Sequence, residues 1–342
     1  MLGIHVFRPN FSKVFLKNKN ITNWINPTTE LFGMEDYEVI ILYMSVLFWK
    51  KFHNNTITLY TDSVGYEIFE KLNLLHLYDD VKFINNHHYI NNKVFWAGCK
   101  LEVISEINQP FTIFDLDLYV EKNLEELDFF KKDIGILHFE KSSLSYPYPR
   151  TMPFFDFPKE WSWDSLAVNV ALLHFNDMSF KNEYAERGLK YIYDNSKDNK
   201  EYIMDKMNAR MIFSEQRLLG EMISFYKKNY TCLITGQYYP TLENDNCIGF
   251  SDVMNLRTAK FVETTEGIHR HSNIKKMELS VNHLWGFKSI LLNDNAKRID
   301  FMQRLLEKFF KEFPYNYDML KTSLETLYKD ANKQYTEFFS KA

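Results

Sequence analysis

The amino-acid sequence predicts an α/β fold, a mostly parallel central sheet flanked by helices with further helices at the carboxyl end. Three observations carry that expectation. β-prone runs and helical segments alternate from Gly3 to Val120, the pattern of a parallel sheet with crossover helices. The run Phe111-Thr-Ile-Phe ends in Asp115-Leu-Asp117, and ligands of open α/β sheets gather outside the carboxyl ends of strands. Beyond Asn293, apolar residues recur at helical spacing, first at Ile299, Met302, Leu305, Leu306, Phe309 and Phe313, then at Met319, Leu320, Leu324 and Leu327.

In order along the chain, Gly3 to Phe7 reads as a first strand and Asp36 to Phe52 as a helix. Thr56 to Thr61 alternates as a second strand, and Asp62-Ser63 caps a helix over Tyr66 to Leu72, where the acid can satisfy free amides. Val81 to Ile84 is a third strand and Val94 to Ile107 a helix, which Asn108-Gln109-Pro110 stops before the acidic strand. Ile134 to Phe139 and Leu166 to Phe175 read as later strands, Ser145 to Asp164 as a Pro- and aromatic-rich connection, and Ser214 to Tyr226 as a helix. Residues 1–292 are expected to form one catalytic domain, with 293–342 a helical extension packed on it. No internal repeat interrupts this order.

Composition excludes several classes. With 342 residues, 45% of them apolar and 17% aromatic, the chain can bury a large core and is not a disordered segment. A net charge of -4 with interspersed signs leaves no electrostatic footprint for nucleic acid. The apolar stretch from Val39 to Trp49 falls well short of the roughly 20 residues that cross a bilayer, so it reads as a buried helix. Met1-Leu-Gly-Ile-His lacks the pattern of an export signal, and Cys99, Cys232 and Cys247 form neither a metal cluster nor a paired framework. A cytoplasmic setting is the expectation.

The chemistry is expected at Asp115 and Asp117. On a strand, positions i and i+2 face the same way, so the two carboxylates would project together, and like charges that close call for a cation between them. A divalent ion held by oxygen ligands relieves the repulsion and can in turn hold a diphosphate. Bland alternatives attend each residue: the two acids could be loop acids capping the helix near Leu124, Asp62 could be a helix cap, Lys100 a solvated helix residue and Glu215 an acid at a helix start. His87-His88 and His269-Arg-His271 lack further ligands at zinc spacing. The aromatic run Tyr146, Tyr148, Phe154, Phe155, Phe157, Trp161 and Trp163 could pack a core or stack on a ring-shaped ligand such as a sugar.

The order of these motifs resembles the GT-A glycosyltransferases, in particular the retaining group that includes glycogenin and the lipopolysaccharide galactosyltransferases. Asp115-Leu-Asp117 matches the family's DxD motif, and uncharacterised bacterial and phage relatives of the fold share Thr61-Asp62-Ser63 and Gln109-Pro110-Phe111 with it. Phe95-Trp96-Ala-Gly-Cys-Lys100 resembles the helix whose basic residue reaches the donor, and Val168-Asn169-Val170-Ala171 the strand whose Asn contacts the donor sugar. Ala171 stands where the family usually carries Gly. Glu215-Gln216 resembles the acid-Gln pair near the reacting carbon, and His283-Leu-Trp-Gly286-Phe-Lys288 the family's His-x-x-Gly-x-x-Lys with one residue fewer before the lysine.

The resemblance implies a metal-dependent transferase that moves a sugar from a nucleotide-sugar, with a UDP-sugar the expected donor and retention the expected stereochemistry. Asp115, Asp117 and His283 would hold Mn2+ or Mg2+; Lys100, Asp62, Asp115, Gly286 and Lys288 would contact the nucleotide; Glu215, Gln216 and Asn169 would act at the sugar. The acceptor, whether glycan, protein or small molecule, is not legible. Phe309, Phe310 and Phe313 leave room for a homo-oligomer through the C-terminal helices. The rival expectation is a catalytically inactive GT-A-fold binding or assembly protein. A nucleotidyltransferase is disfavoured because Phe7-Arg8-Pro9-Asn10 lacks a Gly-rich phosphate loop, and a glycosidase because acids on one strand do not flank a bond from opposite faces.

Overall fold

The computed structural model describes residues 1–9, 34–53, 56–84, 90, 94–140, 156–196, 210–234, 237–238, 262–263, 269–270, 281–284 and 287–331. The first half follows the expected alternation: β1 (Leu2–Phe7), α1 (Asp36–His53), β2 (Ile57–Thr61), α2 (Ser63–Lys71), β3 (Asp80–Phe83), α3 (Gly98–Glu106) and β4 (Phe111–Phe114). After it come β5 (Leu118–Val120), β6 (Ile134–Glu140), β7 (Ala167–Phe175) and α4 (Met178–Ser196). A π-turn over Phe213–Arg217 runs into α5 (Leu218–Phe225), followed by β8 (Tyr230–Cys232), β9 (Gln237–Tyr238), β10 (Val262–Glu263), β11 (His269–Arg270) and β12 (Val281–His283). Helices α6 (Lys288–Asn293), α7 (Asn295–Glu312) and α8 (Tyr317–Ala331) close the described chain.

The large sheet has the order β11-β10-β9-β6-β7-β4-β1-β2-β3, with β8 also paired to β6. Strands β3, β2, β1 and β4 are mutually parallel, and β7 runs antiparallel between β4 and β6. Alternate strand residues feed two apolar layers, as a period of two requires. Ile57, Leu59, Phe114 and Leu172 face α1, α7 and α8, whereas Ile4, Tyr60, Ile113 and Leu173 face α3, α4 and α5. Helix α1 is apolar around almost its whole circumference because the sheet covers one side and the C-terminal helices the other. The stretch expected to be a buried helix is one; among the described residues, no helix is long and apolar enough to cross a membrane.

Two sequence expectations need local correction. The helix read from Val94 begins only at Gly98, so Lys100 lies in its first turn. The strand read through Asp117 ends at Phe114: the Asp115 amide still donates to the Ala171 carbonyl at 2.8 Å, but the chain then turns, with the Leu118 N–H donating to the Asp115 carbonyl at 3.1 Å. Asp115 and Asp117 therefore converge through a tight turn and not through the shared face of a strand.

The C-terminal helices join the core of the sheet. Phe301, Leu305, Phe309, Leu320, Leu324 and Leu327 belong to the same apolar layer as Tyr43 and Phe48 of α1. Phe309 packs edge-to-face on Tyr43 and Phe313 on Phe48, which spends two of the three phenylalanines expected to await a partner helix; Phe310 is exposed. Arg298 of α7 reaches the fully buried Asp36 at the start of α1 through its Nε at 3.1 Å and Nη2 at 2.5 Å, and Tyr328 of α8 donates to the same carboxylate at 3.0 Å.

Candidate functional site

A cleft of about 390 Å³ opens at the carboxyl ends of β1 and β4. Its floor is the acidic turn. Strand β5, which leaves that turn, pairs antiparallel with β12 in a separate two-stranded sheet whose register sets His283 opposite Leu118. The Leu284 N–H then donates to the Asp117 carbonyl at 3.1 Å, locking the distant segment onto the turn. As a result His283 Nε2 lies 4.0 Å from Asp115 Oδ2 and 3.8 Å from Asp117 Oδ1.

These three side chains each offer one ligand atom, all within 4.8 Å of one another. Two carboxylate oxygens and one imidazole nitrogen are a donor set that fits a divalent cation. Burial lowers the His283 pKa while the two aspartates pull it back up, so the ring is held toward the neutral form that a metal requires. Burial alone would raise the Asp117 pKa, but Lys288 and His283 outweigh it and hold the carboxylate below its usual range.

Two lysines flank the acids. Lys100 Nζ lies 2.7 Å from Asp115 Oδ1 and 3.3 Å from Glu215 Oε1, and also donates to the Val170 carbonyl at 3.3 Å. Lys288 Nζ lies 2.7 Å from Glu38 Oε1 and 3.0 Å from Asp117 Oδ2. Burial disfavours both ammonium groups, yet their carboxylate partners hold both pKa values above the ordinary lysine value, so both lysines are charged. The acids are thus split: one oxygen of each turns to a lysine, the other to His283.

The remaining expected residues fall as follows. Glu215 and Gln216 reach the cleft from the π-turn, and burial raises the Glu215 pKa against the opposing pull of Lys100. Asn169 of β7 lines the cleft with its amide already oriented: its Nδ2 donates to Glu140 Oε1 at 2.6 Å, and its Oδ1 accepts from the Ala171 N–H at 3.0 Å. Asp62 does not line the cleft. It caps α2, accepting from the Gly65 N–H at 2.7 Å, and faces Arg8 Nε at 3.4 Å, and that arginine does line the cleft. Gly286 lies outside the described residues, as do Trp285, His87, His88, His271, Cys247, Tyr146, Tyr148, Phe154 and Phe155. Phe157, Trp161 and Trp163 are core residues around Phe213 and Tyr191, away from the cleft lining, so an acceptor-stacking role does not extend to them.

Sequence reasoning missed Glu38 and Arg8. Glu38 carried the signature of a first-turn helix acid, which hides its cleft-facing role; Arg8 follows directly on the carboxyl end of β1, where the strand-end rule could have found it.

Fold and site together define an α/β protein with a carboxylate-histidine cluster, a candidate metal site, at its strand ends. The chain belongs to a family of unknown function (DUF6734), whose model matches residues 22–299. Among solved structures it is similar to mouse xyloside xylosyltransferase 1 in its apo form, at 11% identity over 67% of this chain and 83% of that one, with a TM-score of 0.35. It is also similar to the galactosyltransferase LgtC in complex with donor and acceptor sugar analogs, at 11% identity over 63% and 70% of the two chains, with a TM-score of 0.32. A third likeness is to the PaToxG glycosyltransferase, at 9% identity over 66% and 69%, with a TM-score of 0.35. No curated protein matches the chain.

Proposed function

We propose that this chain is a metal-dependent glycosyltransferase of the GT-A type, moving a sugar from a UDP-sugar to an acceptor with retention of configuration. The observation that carries the reading is the convergence of Asp115, Asp117 and His283 on the floor of a cleft flanked by the charged Lys100 and Lys288. Asp115, Asp117 and His283 would hold Mn2+ or Mg2+. When bound, the cation would supply fixed positive charge against the negative charge that builds on the departing diphosphate.

The chain's own residues do the rest. Lys100 and Lys288 are ammonium groups inside the cleft that would meet phosphate oxygens. Asn169 has one N–H unspoken for after its bonds to Glu140 and Ala171, so toward the donor sugar it would act as a hydrogen-bond donor. Glu215 and Gln216 would lie beside the anomeric carbon and stabilise positive charge there.

Retention is supported by the pairing of the acids. Inversion needs a carboxylate base free to take the acceptor proton, but Glu38, Asp115, Asp117 and Glu215, the carboxylates among the described cleft-lining residues, are each held by a lysine. The leaving phosphate would then take the acceptor's proton.

Isothermal titration with UDP in the presence and absence of Mn2+ tests the reading, followed by assay of UDP release from UDP-glucose and UDP-galactose. Metal-dependent UDP binding with turnover supports the enzyme. Binding without turnover by any nucleotide-sugar would indicate an inert relative of the fold, and no nucleotide binding at all would overturn the proposal.

A further inference from the structure

We infer that Glu38 is a positioning residue of the cation site: it retains Lys288 when Asp117 gives that lysine up to a divalent cation. The inference rests on the metal-site reading above and adds to it a residue that no motif marks.

Lys288 stands between two acids of different character. Asp117 turns its Oδ1 to His283 at 3.8 Å and its Oδ2 to Lys288 at 3.0 Å, so it belongs to the cation cradle. Glu38 belongs to no such cradle; its Oε1 lies closer to Lys288, at 2.7 Å, and its Oε2 accepts from the Glu35 N–H at 2.8 Å. That second bond is of the capping-box kind and anchors the carboxylate to the start of α1, a helix buried between the sheet and α7. Glu38 is therefore a fixed acid beside a lysine that must change partner.

The physical need is specific. A cation arriving between Asp115, Asp117 and His283 takes up the charge of Asp117 and repels the ammonium beside it. A half-buried ammonium that loses its only counter-charge is costly, and that cost would count against cation binding. A second carboxylate already in contact removes most of it and keeps Lys288 in the cleft, ready for an anionic ligand. The same arrangement recurs on the other side of the cradle, where Lys100 is shared between Asp115 and Glu215. Each cradle acid is thus matched to a lysine, and each lysine to an acid outside the cradle.

The test is a titration with Mn2+ alone, followed by electron paramagnetic resonance of the free ion, on wild type, Glu38→Gln, Lys288→Met and the double variant. Glutamine can keep the bond from the Glu35 N–H, so Glu38→Gln is expected to melt within a degree or two of wild type, which separates the capping role from the ionic one. In the wild-type background the substitution should weaken Mn2+ about tenfold, since Lys288 then falls back on Asp117. Lys288→Met alone should tighten Mn2+. In the Lys288→Met background, Glu38→Gln should cost much less, because only the loss of one nearby negative charge remains. An equal effect of Glu38→Gln in both backgrounds, or none in wild type, overturns the positioning role while leaving the cation site standing. Mn2+ binding that is absent from wild type, or unaffected by Asp117→Asn, overturns the metal reading and this inference with it.

Discussion

Asp117 is the residue on which the site turns, because it touches both His283 and Lys288 while almost fully buried. Asp117→Asn keeps the shape and removes the charge. We expect it to abolish Mn2+-dependent UDP binding and donor hydrolysis, with a stability change of only about 1 kcal/mol because Lys288 retains Glu38; calorimetry and a thermal melt check both halves. Since interactions with Lys288 and His283 depress its folded pKa, its stabilising contribution is present above the ordinary carboxylate value of 3.8 and is lost as pH falls below it. Glu140 behaves in the opposite sense. Burial pushes its pKa from 4.5 to about 8, so its contribution to stability is complete below 4.5 and is lost as pH rises toward 8. Glu140→Gln, which can still accept from Asn169, should therefore melt higher than wild type at pH 9, with the advantage shrinking toward pH 5. Of the residue-scale chemistry, the acids were legible as a type at a spacing and His283 through the family resemblance, whereas Glu38 was not: a glutamate in a first helical turn carries the same signal whether it faces solvent or a cleft.

At the scale of elements, the site depends on three short pieces being pressed together: the turn between β4 and β5, the β5–β12 register, and the π-turn that precedes α5. The last is set by close packing of α5 on the loop before β7. A Cβ on Gly220 would overlap the carbonyl oxygen of Leu166, an atom of the backbone that cannot swing aside. Gly220→Ala should therefore push α5 off β7, destabilise the protein by about 1–3 kcal/mol and weaken donor binding as Glu215 moves from Lys100; denaturant unfolding and UDP titration measure the two effects separately. Strand and helix positions were legible because alternation and 3.6-residue spacing are local signals. The acidic turn was not, because Phe111 to Val120 is apolar and β-prone on both sides of it and only the Leu118-to-Asp115 hydrogen bond breaks the strand. The late start of α3 escaped for a similar reason: Val94 to Ala97 has helical composition but winds as turn.

At the scale of the molecule, the C-terminal helices are structural partners of the sheet. Their apolar faces share a core with α1, and the Arg298–Asp36 pair ties the end of the described chain to the helix that carries Glu38. Arg298→Ala would leave the buried Asp36 carboxylate with Tyr328 as its remaining hydroxyl donor, and we expect a loss of about 3 kcal/mol in urea unfolding. Removal of residues 293–342 should give an insoluble or molten product, because it uncovers the outer side of α1. On this account residues 1–292 would not fold as a unit independent of the helices that follow.

By itself the sequence determined the α/β class, the order of the elements and the acidic pair, because each leaves a signal within a window of a few residues, whereas His283 entered as their companion only through the resemblance to a known family. The tertiary structure alone decided that β12 pairs with β5 so that His283 meets the turn, that each acid shares a lysine with a second acid, and that Glu38 and Arg8 line the cleft. Those facts concern which side chains face one another across the fold. Strand register and helix docking set them, and both come from packing between segments far apart in the chain, which no local pattern encodes.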